Sequence, residues 1–190
     1  MQKDLIIALK SGNQDAFKEC VETFQEKVLN TCYHFLHDRL DAEDISQEVF
    51  LEVHRSIKYF REEAQLSTWV YRIAVNKSLD FLRKRNRKKR FANIISLFSV
   101  KGHETDILIK DRRTPLSNIE QKERIRILDQ AIDRLPENQK IVIVLRRFEG
   151  LSNKEIAYIM DTSVSAVDSL FHRAKTKLYN NLYKYFEKKL

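Results

Sequence analysis

Glycine and proline are scarce in this sequence, with three and two occurrences in 190 residues. Both punctuate turns, so a chain with so few cannot be a many-stranded sheet, and long helices are expected. Cysteine is equally rare: Cys20 and Cys32 are the only two. Two thiols make no disulfide framework, which fits a reducing compartment. Cys32, His34 and His37 do not make a metal site, because on a helix Cys32 points away from the face the two imidazoles share and no fourth ligand lies nearby. A buried thiol beside surface imidazoles is the better reading. No apolar run approaches the ~20 residues of a membrane span, and Met1 to Asp4 leads into no signal-peptide core. A soluble, cytoplasmic protein without membrane insertion is expected.

Enzymatic signatures are missing too. The sequence has no phosphate-cradling glycine loop, zinc-spaced His/Cys set or nucleophile elbow. Asp41, Glu43, Asp44 and Glu48 splay around a helix instead of converging on one ion, which argues against a metal-dependent nuclease. We therefore expect no catalysis, no cofactor, no metal and no small-molecule substrate.

What is present is charge, unevenly placed. Residues 1–54 hold five Lys/Arg against eleven Asp/Glu (net −6), whereas residues 55–90 hold twelve against three (net +9). Residues 91–135 nearly balance at eight against seven, and residues 136–190 carry ten against six. An acidic front beside a basic block suggests one face for a protein partner and another for a phosphate backbone.

Apolar spacing divides the chain into two helical units. Leu5, Ile6, Ala8 and Leu9 mark a first helix stopped near Gly12. Asn13 to Asp15 cap a second, striped by Phe17, Val21, Phe24 and Val28 and ending near Phe35. Asp41 caps a third, with Ile45, Val49 and Val53 inward. Ser67 caps a fourth, with Val70, Ile73, Ala74 and Phe81 inward, which runs into the basic stretch Arg83–Arg90. Residues 91–117 read as a linker whose first part continues as an amphipathic helix, since Phe91, Ile94, Ile95 and Phe98 fall at i, i+3, i+4 and i+7. That stripe is expected to pack on the second unit, the alternatives being that it caps the first unit's own core or awaits a partner protein. In the second unit, Leu128, Ala131, Ile132 and Leu135 form a stripe ended by Pro136, and Ile141, Val144, Leu145 and Phe148 one ended by Gly150. Ser152 and Glu155 make a capping box opening a short helix, and Ser163 caps the last one, which buries Val167, Leu170, Phe171, Ala174 and Leu178.

Two constellations point to DNA. A short helix, a tight turn at Asp161-Thr162 and a longer helix with a polar outward face describe a helix-turn-helix. Its outward set is Ser163, Ser165, Asp168, Ser169, His172, Arg173 and Lys175, with Arg146, Arg147 and Lys154 placed to hold phosphates. Between Tyr59 and Arg90, Tyr59, Phe60, Trp69, Tyr71 and Phe81 alternate with Arg61, Arg72, Lys77, Arg83 and Lys84. Rings beside cations are what single-stranded DNA requires, at roughly 1–3 kcal/mol per stacked base, although Trp69 and Phe81 can equally serve a core. An ordinary helix-turn-helix regulator would account for residues 119–190 but would leave the front half without a purpose.

Three segments carry a family resemblance. Asp41-Ala42-Glu43-Asp44-Ile45-Ser46-Gln47-Glu48-Val49-Phe50-Leu51 resembles the core-binding helix of region 2 in sigma-70 family factors. Leu66 to Asn76, followed by Leu79-Asp80-Phe81-Leu82-Arg83, resembles their promoter-melting helix. Leu135-Pro136 through Leu178, with Gly150-Leu151-Ser152, Glu155-Ile156-Ala157 and Arg173-Ala174-Lys175, resembles their region 4. With only these regions, the chain is similar to the extracytoplasmic-function (ECF) group.

The resemblance implies an all-α fold of two small helical domains: region 2 over residues 1–90, a linker over 91–117, and a helix-turn-helix region 4 over 118–190. It implies docking on core RNA polymerase through Asp41, Asp44, Gln47, Glu48, Phe50 and Leu51. Phe60 and Arg61, with the loop to Ser67, would line a pocket for a flipped −10 base, joined on the melted strand by Trp69, Arg72, Asn76, Asp80, Arg83 and Lys84. Double-stranded −35 DNA would meet Arg147, Lys154, Ser163, Ser165, Asp168, Ser169, His172, Arg173 and Lys175. An anti-sigma factor is implied as a partner. In one respect the sequence departs from the pattern: Asp168 stands where many relatives carry a basic residue. A carboxylate there cannot bind phosphate, but it could accept a hydrogen bond from a cytosine amino group.

Overall fold

A computed structural model describes residues 2–98 and 117–187, with side chains described for residues 3–88 and 123–183. The described residues form helices α1 (Gln2–Lys10), α2 (Gln14–Leu36), α3 (Arg39–Ser56), α4 (Leu66–Phe98), α5 (Ser117–Asp133), α6 (Glu137–Arg147), α7 (Asn153–Met160) and α8 (Val164–Glu187), plus a 3-10 turn at Ile57–Tyr59. Among them there is no strand, and no helix is long and apolar enough to cross a membrane.

Local chemistry sets the boundaries. Gly12 turns the chain with φ +79, and Asn13 caps α2 by accepting from the Ala16 amide at 3.0 Å. His37 closes α2 in the left-handed region (φ 53), and Asp38 in extended conformation then caps α3 through the Asp41 amide at 3.0 Å. Asp41, expected as the cap, instead sits in the first turn. The helix can begin as soon as the left-handed residue has been passed, and Asp38 is the first oxygen available there. The Ser152–Glu155 capping box is formed as expected. Ser163 also caps, accepting from the Ala166 amide at 3.2 Å.

In the front half, Cys20, Val28, Cys32 and Phe35 of α2 meet Val49 and Val53 of α3 and Val70, Ala74 and Val75 of α4 in one buried core. α4 does not stop at the basic stretch. It continues without a break to Phe98, 33 residues in all, or ~50 Å at 1.5 Å per residue. The helical spacing of Phe91, Ile94, Ile95 and Phe98 is thus matched by a helical backbone. Where those four side chains pack lies outside the described residues.

The rear half is built on α6, where seven consecutive residues from Gln139 to Leu145 are buried. A helix buried on every side must be covered on every side, and α6 packs on α5, α7 and α8 and also on α2. The front and rear halves are therefore in contact. His34 stacks on Phe148 with centroids 4.0 Å apart, Tyr71 donates to Glu149 at 3.2 Å, and Arg83 pairs with Glu137 at 2.6 Å. Lys140, only 8% exposed, donates to the Phe35 carbonyl at 3.1 Å and to Asp133 at 2.5 Å, and Asp133 also meets His37 at 3.1 Å.

Candidate nucleic-acid interface

Three surfaces gather most of the residues singled out in the sequence. On α3, Asp44, Gln47, Glu48 and Leu51 are exposed at i, i+3, i+4 and i+7, which is one helix face. Asp41 lies at its edge, held by Arg85 at 3.2 Å. Phe50 does not belong to this face: it is 8% exposed and part of the core. The helical period turns it inward beside Val49 and Val53, away from the exposed row.

The second surface is a cleft of about 390 Å³ between α3 and α4, lined by Glu52, Ser56, Tyr59, Trp69, Ile73, Asn76, Lys77 and Asp80. Its far wall is a row along α4, in which Trp69, Ile73, Asn76 and Asp80 recur at i, i+4, i+7 and i+11. Lys84 continues the row and is exposed. Lys77 is tied across the cleft to Glu52 at 3.2 Å. Phe60 is not on this surface. It is 3% exposed and supports the Trp69 ring from beneath, centroids 5.0 Å apart, with the Lys10 ammonium 5.9 Å from its own ring. In this arrangement Phe60 stands behind the Trp69 ring and does not line the cleft. Its neighbour Tyr59 is the ring of this turn that faces water, 72% exposed. Arg61 is the open part of the loop, with an 84% exposed side chain. Arg72 and Arg83 flank the cleft and face the rear helices: Arg72 lies over Tyr158 at 5.4 Å, and Arg83 is divided between Asp80 and Glu137.

The third surface is the outer side of α8. Ser165, Asp168, Ser169 and His172 are exposed at i, i+3, i+4 and i+7, with Arg173 and Lys175 exposed on its flanks and Ser163 at its start. Lys154 and Arg147 are exposed beside it. Asp168 is not free: its Oδ1 accepts from Asn153 and lies 3.6 Å from the Arg146 guanidinium.

Titratable groups at the contact between the halves are shifted by burial. Burial raises the Glu149 carboxyl above its ordinary value, and among the described residues its Oε1 is buried without a hydrogen-bond partner. Burial also raises Asp133, yet the bonds from His37 and Lys140 outweigh it and hold the group low. The Cys32 thiol, buried near Ser78, is pushed up to about 11. His34 is lowered by burial, which favours the neutral form of the ring that stacks on Phe148. Cys32, His34 and His37 thus have separate surroundings, and among the described residues no cluster suits a metal ion.

Comparison with known proteins gives these surfaces a context. Residues 20–88 match the family model for sigma-70 region 2, and residues 125–178 that for sigma-70, region 4. The ECF RNA polymerase sigma-E factor of Haemophilus influenzae is 34% identical over 94% of this chain and 93% of its own length. The ECF RNA polymerase sigma factor SigW of Bacillus subtilis is 32% identical over 96% and 97%. In fold, the chain is similar to CnrH, solved in complex with the cytosolic domain of CnrY, at a TM-score of 0.70 and 22% identity over 96% of this chain and 97% of that one. It is also similar to the sigma factor RpoE from Bartonella quintana, solved with the anti-sigma factor NepR, at 0.63 and 18% over 88% and 96%.

Proposed function

The chain belongs to the sigma-70 family of RNA polymerase sigma factors, in its ECF group, and from that membership we propose how its surfaces share the work of starting transcription. A sigma factor catalyses nothing itself. It binds core polymerase and promoter DNA and directs initiation.

In our reading, residues 1–90 act as the region 2 unit, 91–117 as a linker and 118–190 as the region 4 unit. The exposed face of α3, with Asp44, Gln47, Glu48 and Leu51 and with Asp41 at its edge, docks on core polymerase. The cleft between α3 and α4 receives the melted −10 strand: Trp69 offers a ring for stacking, Asn76 and Asp80 offer polar groups to base edges, and Arg61, Arg72, Arg83 and Lys84 meet phosphates. The outer side of α8 enters the major groove of the −35 element with Ser163, Ser165, Ser169 and His172 toward base edges, while Arg147, Lys154, Arg173 and Lys175 meet phosphates. Because Arg72 and Arg83 are engaged by Tyr158 and Glu137 in the free chain, the rear helices must move away before both arginines can reach DNA. We further propose that the chain works in the cytoplasm, where polymerase acts, and that an anti-sigma partner restrains it, as partners are bound to the two fold relatives.

The observation that carries this reading is the pair of separate exposed faces on α3 and α4, one acidic and one combining a ring with polar and cationic groups. Reconstitution with core polymerase tests it. The holoenzyme should open a promoter carrying −10 and −35 elements, as read by permanganate reactivity of −10 thymines. A chain that binds promoter DNA equally well without polymerase and opens nothing would refute it.

A further inference from the structure

The position of Asp168 on the outer side of α8 invites the idea that it reads a base. Its contacts point elsewhere. Oδ1 accepts a hydrogen bond from the side-chain amide of Asn153, the first residue of α7, and lies 3.6 Å from Nη1 of Arg146 in the last turn of α6. The Arg146 guanidinium is held on a second side as well, 4.0 Å above the centre of the Phe171 ring, which belongs to α8 one turn beyond Asp168. A planar cation resting on a ring and facing a carboxylate has little freedom left. With five N–H donors it still has hydrogens for another acceptor.

We propose that Asp168 is a positioning residue for −35 binding: it holds Arg146 as a pre-set phosphate clamp and ties α7 to α8, and it reads no base. This rests on the reading of α8 as the −35 recognition helix. Three physical points favour it. An unpaired carboxylate on a helix entering the groove would be repelled by the phosphates, whereas one facing a guanidinium is offset. The bond to Asn153 joins the two helices of the helix-turn-helix through a side chain, fixing the angle at which α8 is presented. Finally, Ser165, Ser169 and His172 on the same face carry neutral donors and acceptors suited to base edges, so the face does not depend on Asp168 for recognition.

The test uses reconstituted holoenzyme and a duplex that contains the −35 element but ends upstream of the −10 element. Affinity is measured from 50 to 200 mM salt and against every single-base change in the element. Each phosphate contact contributes a slope of about −0.9 to log K against log salt. Asp168→Ala, Arg146→Ala and the double variant should all lose the same single contact. Their deficit relative to the parent should shrink roughly threefold over that salt range, and the double variant should be no worse than either single one. Preferences at each base pair should keep their ratios. Asp168→Asn, which keeps the shape and the acceptor for Asn153, guards against loss of folding and should also flatten the slope. Relaxed discrimination at one base pair with an unchanged slope would make Asp168 a base reader and overturn the proposal. A uniform loss that follows a fall in Tm at unchanged slope would make it a fold residue and overturn it equally. If the parent holoenzyme shows no dependence on the −35 sequence, the reading of α8 itself fails, and that outcome is separately recognisable.

Discussion

The Lys140 ammonium lies 3.1 Å from the carbonyl oxygen of Phe35, so a cation from the first turn of α6 satisfies a carbonyl at the last turn of α2. Such an end has carbonyls without helical partners, and a cation is favoured there. Lys140 also bonds Asp133, which in turn bonds His37 just beyond the end of α2. A buried ammonium makes a contact that is specific in register yet separable, because both sides recover water when they part.

Replacing Lys140 by Met keeps the packed stem and removes the donor. Leaving the Phe35 carbonyl and Asp133 short of a partner should weaken the contact by about 1–3 kcal/mol. We expect a larger radius of gyration in small-angle scattering of the free chain, with far-ultraviolet circular dichroism unchanged. Unaltered dimensions would show that the contact does not depend on this cation.

Glu149 gives the contact a pH dependence of calculable sign. Burial raises its carboxyl, so ionisation in the folded state costs stability at pH above the raised value. That cost disappears as pH falls through the raised value toward the ordinary carboxyl range. Glu149→Gln, a permanent stand-in for the neutral acid, should raise thermal stability at pH 7.5 by up to about 1 kcal/mol. The gap between variant and parent should close on acidification. Asp133 works in the opposite direction, since its carboxyl is lowered and its contribution is lost only at still lower pH. A gap that is constant with pH would rule out the burial argument.

On α3, Asp44→Lys with Glu48→Lys reverses two exposed charges of the acidic front. Holoenzyme formation should fall below detection in gel filtration with core polymerase, while Tm stays within a few degrees. Retained core binding would place the docking surface elsewhere.

The cleft separates opening from folding. Asn76 is exposed and Phe60 is buried. Asn76→Ala should leave stability within about 0.5 kcal/mol and reduce permanganate reactivity of −10 thymines more than promoter occupancy. Phe60→Ala should instead cost roughly 3–5 kcal/mol of stability, with DNA effects following from unfolding. Equal losses of opening and occupancy for Asn76→Ala would mean that the residue serves binding alone.

Most local signals are legible in the sequence, although the caps expected at Asp41 and Ser67 lie inside the first turns of α3 and α4; features set by contact between the halves are not. The Ser152–Glu155 box, the Asn13 cap and the exposed row Ser165, Asp168, Ser169 and His172 follow from nearest neighbours and helical period. Phe50 is turned inward by the period of α3, whereas the burial of Phe60 is set by its packing on Trp69, which no local pattern announces. Lys140 and Glu149 carry no mark of burial in the sequence, because a charged residue is read as solvated until a distant helix is known to cover it. The expected packing of Phe91, Ile94, Ile95 and Phe98 on the second unit lies outside the described side chains.

The unbroken course of α4 sets a phase. Trp69 and Asn76 near its start and Arg87 and Lys88 farther along stand on one stiff rod, so their angular relation is fixed by residue count alone. Inserting one alanine after Leu82 would rotate the basic end by about 100° about the axis relative to the cleft, and a further three would bring it nearly back into line at 3.6 residues per turn. DNA engaged at both places would have to follow that rotation or release one of them. The helix is thus a protractor: its residue count alone sets the angle between the cleft and the basic end.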